Sequence, residues 1–219
     1  MKYEIKKLEE REVVKAVELF NAIVDELHAD SPVTERSHYK ETYPVEEVKE
    51  RLSNKDNVYL VGKLGKEIVS FMFAWASDGV GNIYWLGVKP KYRKKGYARK
   101  LMDETIKQFT KKSCHEARVF SYPKEKGAHK LFKSFGFEEK SFIDKQFFGI
   151  SIILMERKLA PVPIKKIAKK MYSDPYQEVF SFMKEVRKID CSDYYKLMFS
   201  VEGLIPKEDR KENLPIPER

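Results

Sequence analysis

Arg93, Lys94, Lys95 and Gly96 place three cations and a glycine in four consecutive positions, directly before a segment of helical periodicity. An extended apolar run, Ile83 to Val88, ends at Pro90, and beyond Gly96 the residues Ala98, Leu101, Met102, Thr105 and Phe109 share one helical face. The pattern reads as strand, loop, helix. The first turn of a helix has N–H groups without intrahelical partners and the positive end of the helix dipole, so a basic, glycine-bearing loop there collects phosphate oxygens. Neither common phosphate loop fits. There is no Gly-x-x-x-x-Gly-Lys-Ser/Thr, and only one glycine stands where a dinucleotide fingerprint needs three. The chemistry to expect is the gripping of a diphosphate by main-chain amides.

Arg93-Lys94-Lys95-Gly96-Tyr97-Ala98 resembles the Arg/Gln-x-x-Gly-x-Gly/Ala acetyl-CoA loop of the GNAT superfamily of N-acetyltransferases, and the flanking Leu86-Gly87-Val88-Lys89-Pro90 and Leu101-Met102 match as well. A second stretch, Ala128 to Phe137, resembles the family pattern Asn-x-x-Ala-x-x-x-Tyr-x-x-x-Gly-Phe at Ala128, Gly136 and Phe137. Two positions depart from it: Glu125 stands for the usual Asn and Phe132 for the usual Tyr. The resemblance runs from Met1 to Leu159. It implies a GNAT (acyl-CoA N-acyltransferase) fold in residues 1–159, an α/β architecture with a mixed twisted sheet flanked by helices. It also implies direct transfer of the acetyl group of acetyl-CoA to a primary amine on a small molecule or protein. The cofactor-binding residues it implies are Leu86, Gly87, Val88, Arg93, Lys94, Lys95, Gly96, Tyr97 and Ala98. The pantetheine arm would pair with strand backbone around Leu86 to Val88 as an added strand does, with the Val88 N–H facing the thioester oxygen.

Such a transfer needs a held acyl donor, an unprotonated amine and an exit for the thiolate. With Phe132 in place of the usual acid, Tyr122 or Tyr97 is a substitute proton donor, although tyrosines at such places are commonly packing residues. A thiol with a pKa of about 8.5 also leaves tolerably as thiolate unaided. For the base, a lysine-like amine of pKa about 10.4 must lose a proton. Glu125, Asp78, Tyr84 and His129 are open to that role, each against a plainer reading as helix-start carboxylate, turn residue, half-buried strand aromatic and exposed helix residue. The expected catalytic residues are Tyr122, Glu125 and Tyr84.

The elements that must position these groups follow from the patterning. Lys2 to Leu8 alternates as a first strand, and from Glu10 the residues Val13, Val14, Val17, Phe20, Ile23, Val24 and Leu27 recur at helical spacing. His28 to Pro44 reads as a loop or short turns before a second helix from Pro44 to Leu52. The resemblance makes this connection a wall of the acceptor pocket, with Asp30, Glu35, Arg36, His38, Tyr39 and Tyr43 as contact candidates. Asn57 to Lys63 and Lys66 to Ala76 form a hairpin-like pair around Leu64-Gly65, and Asn82 to Val88 is the fourth strand. A helix over Tyr97 to Lys111, a strand over Ala117 to Tyr122, a helical face of Ala128, Leu131, Phe132 and Phe135, and closing strands Phe142 to Asp144 and Phe147 to Glu156 complete the domain.

Composition bounds the remaining options. The 219 residues carry a net charge of +9, and ten Lys or Arg fall between Lys89 and Lys112 against Asp103 and Glu104. Charge focused on one loop and helix suits a polyphosphate ligand. Nucleic acid fits less well, because stacking aromatics beyond Tyr92 and Tyr97 and any nucleic-acid-binding motif are missing. Cys114 and Cys191 lack metal-ligand spacing, so no metal and a reducing, cytoplasmic compartment are expected. No run approaches the roughly 20 apolar residues of a membrane span, and none forms a signal core. Pro161 and Pro163 open a change of composition, and residues 160–219 are expected to form a helical C-terminal extension. Its aromatics need a surface, either the domain or a second subunit of a homodimer. A CoA-binding regulatory module without turnover is the alternative function.

Overall fold

The computed structural model describes residues 2–77 and 79–160. The extension expected over 160–219, and Asp78, lie outside them apart from Ala160. In chain order the elements are β1 (Tyr3–Lys7), a 3-10 turn at Glu10–Glu12, α1 (Val13–Leu27), α2 (Val33–Thr42), α3 (Val45–Arg51), β2 (Asn57–Leu64), β3 (Glu67–Ser77), β4 (Val80–Val88), a 3-10 turn at Pro90–Tyr92, α4 (Tyr97–Lys111), β5 (Glu116–Ser121), α5 (Lys126–Ser134), β6 (Glu138–Phe147) and β7 (Ile150–Lys158). The strands form one sheet in the order β1-β2-β3-β4-β5-β7-β6. Its β4–β5 pair is parallel and its other pairs are antiparallel.

β3 shows why this sheet has helices on both faces. Nearly every residue of it is buried, and the pleat sends Phe71 and Phe73 to one side and Met72, Ala74 and Ala76 to the other. On the first side α1 contributes Val13, Val17, Phe20, Ile23 and Val24, with Phe20 meeting Trp85 edge-on at 5.0 Å. On the second, α4 contributes Leu101, Met102 and Phe109. Both helices bury the faces their periodicity foretold, except that Val14 of α1 is exposed. Burying such side chains stabilises by about 1.5–3 kcal/mol each.

Two expectations are corrected. His28 to Pro44 is not a loop, because α2 occupies Val33–Thr42. Its inward positions carry Glu35 and Tyr39 rather than aliphatic residues, so apolar periodicity gave no sign of it. The final strand begins at Ile150, not Phe147: the hairpin turns at Phe148 and Gly149, whose φ values are 49° and 77°.

Gly81 on β4 lies against the ring of the fully buried Phe109, where an added Cβ would come within 2.3 Å of the ring. The Gly81→Ala variant is therefore expected to lose about 1–3 kcal/mol of stability by overpacking. Urea unfolding checks this, and an unchanged midpoint would contradict it.

Candidate functional site

β4 and β5 pair only from Val80 opposite Glu116 to Ile83 opposite Val119. At that point β4 carries a bulge. Phe73 on β3 faces Trp85 and Ala74 faces Ile83, which leaves Tyr84 as the extra residue. Bulges twist a strand and end its pairing, and here β4 continues toward Val88 with β3 as its single partner. The Lys89 N–H donates to the Val69 carbonyl at 2.9 Å. Ladder alternation then turns the N–H groups of Leu86 and Val88 away from β3, to the side where the Val88 carbonyl accepts from Arg93 Nε at 2.9 Å.

The opened edge borders a cleft of about 780 Å³. At one end stands the loop before α4. Lys94 has φ 59° and Gly96 φ 80°, two left-handed residues within three positions, a geometry that points successive N–H groups into one concavity. Among the described residues, none of the N–H groups of Lys94 to Arg99 donates to a protein acceptor; the first bond of α4 is from the Lys100 N–H to the Gly96 carbonyl at 3.1 Å. At the other end of the cleft are Tyr39, His28, Tyr84, Trp85, Phe120, Tyr122 and Glu125. The arrangement offers anion-binding amides, an unpaired strand edge and an aromatic chamber in sequence.

A model of the acetyltransferase (GNAT) family matches residues 20–137. The chain belongs to this family. It is accordingly an acetyl-CoA-dependent N-acetyltransferase acting on amine acceptors. No curated protein matches the sequence. Among solved structures, PaiA N-acetyltransferase from Thermoplasma acidophilum, in complex with coenzyme A, is 20% identical with TM-score 0.63, covering 72% of this chain and 99% of that one. Ribosomal-protein-S18-alanine N-acetyltransferase from Escherichia coli is 14% identical with TM-score 0.58, covering 73% and 96%. Ard1 from Thermoplasma volcanium is 14% identical with TM-score 0.58, covering 74% and 100%. At these identities the likeness is one of fold.

Of the residues expected at the acetyltransferase site, Leu86, Gly87, Val88, Arg93, Lys94, Gly96, Tyr97 and Ala98 line the cleft, as do Tyr84, Tyr122 and Glu125. Three side chains are used differently than anticipated. The Arg93 guanidinium is committed to Glu26 of α1 through both terminal nitrogens, one at 2.7 Å, so it ties the loop to α1. Lys95 lies outside the cleft lining with its ammonium 5.3 Å from the centre of the Tyr92 ring. The Tyr97 ring is stacked on Tyr3 at 4.0 Å. Phe132 is buried against Phe137 yet also lines the cleft.

The base candidate His129 does not line the cleft. Among the acceptor-contact candidates Tyr39 lines it, whereas Tyr43 is core, stacked on Phe73 at 5.6 Å. Glu35 is wholly buried beneath the chamber wall. There the Tyr122 hydroxyl donates to Glu35 Oε1 at 2.7 Å, and the Tyr39 hydroxyl directs its one proton between the Tyr122 oxygen and the same carboxylate oxygen, which lies 3.3 Å away. Burial, followed by the bonds with Tyr39 and Glu35, pushes Tyr122 far above a tyrosine's ordinary value, and burial raises Tyr39 too. Both remain protonated near neutrality. His28, the C-cap of α1, joins this cluster. Nothing in the local sequence marked it, because its partners come from α2, β4 and the end of β5. Among the described residues no cluster of His, Cys, Asp or Glu suits a metal ion, and no helix is long and apolar enough to cross a membrane.

Glu67 at the start of β3 clamps the approach to the loop. It accepts from Lys89 Nζ at 2.8 Å and from the Tyr92 hydroxyl at 2.6 Å, with Lys91 Nζ at 3.4 Å. The bonds from Lys89 and Tyr92 lower its pKa from 4.5 to about 2. A carboxyl depressed in this way stabilises the fold fully above pH 4.5 and loses that contribution as pH falls toward 2. Glu67→Gln is expected to flatten the decline of melting temperature over that acid window; an identical decline in wild type and variant would contradict the clamp.

Proposed function

We propose that the amides of Lys94 to Arg99 hold the diphosphate of acetyl-CoA, that the pantetheine arm lies along the open edge of β4, and that the acceptor amine enters the aromatic chamber. The observation that carries this reading is the row of amides without protein acceptors, continuous with a cleft that reaches the parted strands. Such amides, at the positive end of α4, suit a group with two negative phosphates. The side chain of Lys94, which lines the cleft, adds a screened attraction.

When bound, acetyl-CoA supplies the activated acyl carbon and a thiolate leaving group. The chain supplies the rest. The outward N–H groups of Leu86 and Val88 align the arm and, at Val88, offer a hydrogen bond to the thioester oxygen. Tyr122 lines the cleft as a protonated hydroxyl, which excludes a tyrosinate base, and its place in the cleft lets its O–H turn from Glu35 to the departing sulfur. Its bonds with Glu35 and Tyr39 fix where the hydroxyl stands. Tyr84, on the bulge, and Glu125, at the N-cap of α5, border the acceptor. Glu125 attracts an incoming ammonium.

Gly96 has open space around the position of a Cβ but a left-handed φ, so Gly96→Glu costs about 1–2 kcal/mol of backbone strain without a clash. Its carboxylate would stand in the anion cradle. Calorimetric titration with coenzyme A is expected to show binding abolished while the melting transition persists; unchanged affinity would remove the loop from the site. Tyr122→Phe is expected to lower turnover about 10²-fold or more with coenzyme A affinity kept. Turnover equal to wild type would exclude Tyr122 as the donor.

A further inference from the structure

We infer that His28 is the general base of the acetyl transfer and that the buried carboxylate of Glu35 is its positioning partner. The inference rests on the acetyltransferase reading of the cleft.

His28 is 1% exposed yet lines the cleft, and Glu35, 0% exposed, lies behind it. The imidazole lines the cleft, ringed by Tyr39 at 5.1 Å, Tyr122 at 5.2 Å and Trp85 at 6.0 Å. Its Nδ1 lies 3.2 Å from Glu35 Oε1 and is sealed from solvent, off the axis of a linear hydrogen bond. With Nδ1 turned to the carboxylate, Nε2 is the ring nitrogen left for the cleft. A neutral ring holding its proton on Nδ1, next to an acceptor, presents a lone pair at Nε2.

The charges around the ring set its protonation. Burial lowers the His28 pKa below 6.5, and Lys124 adds to the lowering, while Glu35 and Glu125 oppose it. Tyr39 and Tyr122 face the ring as neutral hydroxyls, and Trp85 carries no charge. The resting imidazole is thus unprotonated at neutral pH and able to accept. When it does accept, the imidazolium gains the Glu35 carboxylate as a counter-ion that is already in place. Glu35 Oε2 has no protein partner among the described residues, so the carboxylate has hydrogen-bonding capacity to spare.

The proton balance closes. The acceptor arrives as R–NH₃⁺ and gives one proton to His28 Nε2; the freed nitrogen lone pair forms the C–N bond as the C–S bond breaks. The nitrogen's second proton replaces the one that Tyr122 donates to sulfur, and His28 later returns its proton to water. The products are the N-acetyl amine, coenzyme A thiol and one proton. No oxidant or metal is required.

The test uses the full chain, acetyl-CoA and two probe peptides, one whose single amine is a lysine ε-amine and one whose single amine is an α-amine. In wild type, kcat/KM should level off above the His28 pKa and stay level through neutrality. In His28→Gln only the free amine reacts, so kcat/KM should climb in proportion to hydroxide up to the amine's own pKa. At pH 7.5 the loss should be about 10²-fold or more for the ε-amine, of pKa about 10.4, and much smaller for the α-amine, of pKa about 7.7–8.0. Coenzyme A affinity should be unchanged in the variant. A wild-type pH profile in His28→Gln would overturn the assignment.

Should His28→Gln fold poorly, Glu35→Gln and NMR titration of the His28 ring protons decide. The expected result is a ring that titrates below 6.5 in wild type and lower still in Glu35→Gln. A ring titrating at the ordinary value, unmoved by that exchange, would overturn the pairing. Wild-type protein that binds no coenzyme A would sink the cleft reading and this inference together, whereas a normal wild type with an unaffected His28→Gln sinks the inference alone.

Discussion

The parting of two parallel strands after Ile83 and Val119 is the constraint on which the site depends. A strand edge buried inside a domain must satisfy its polar groups, and β4 leaves the N–H groups of Leu86 and Val88 directed into a cleft instead. The bulge at Tyr84 makes this affordable, since it ends the ladder at a defined residue and lets β3 continue to hold the other side. Without the separation the amides before α4 would face a closed sheet. With it, they open onto a channel that passes the unpaired edge and ends among aromatic rings.

Much of the remaining structure keeps that opening in shape. Arg93 reaches back to Glu26 on α1 and to the Val88 carbonyl, so one side chain ties loop, helix and strand. Glu67 gathers Lys89, Lys91 and Tyr92 from the other flank. The Tyr3 ring stacks on Tyr97, and its hydroxyl bonds Ser70 at 2.8 Å, which fastens the first turn of α4 to the sheet. Cations that looked like ligands are partly structural. The basic character of the loop supports its geometry as well as its charge.

The loop and α4 were legible in the sequence because several constraints coincide there: an apolar strand, Pro90, clustered cations, Gly96 and an unbroken apolar face. The observed helix starts at Tyr97 and ends at Lys111, as the periodicity indicated. The acceptor side was less legible. α2 presents Glu35 and Tyr39 inward, and a helix whose buried face is polar leaves no apolar period to read. The cluster of His28, Glu35, Tyr39 and Tyr122 joins residues up to 94 positions apart, by a fold that no local spacing encodes. The bulge at Tyr84 is equally hidden, since it arises from register between β3 and β4 and not from any residue type. The resemblance supplied the family's tyrosine position, where Phe132 stands; Tyr122 meets the same cleft from the end of β5.

The most direct measurement of the account is a crystal structure of the complex with coenzyme A. Diphosphate oxygens are expected about 3 Å from the N–H groups of the Lys94 to Arg99 turn, with the sulfur beyond Val88 toward Tyr122. A nucleotide bound elsewhere, with those amides facing bulk solvent, would contradict it.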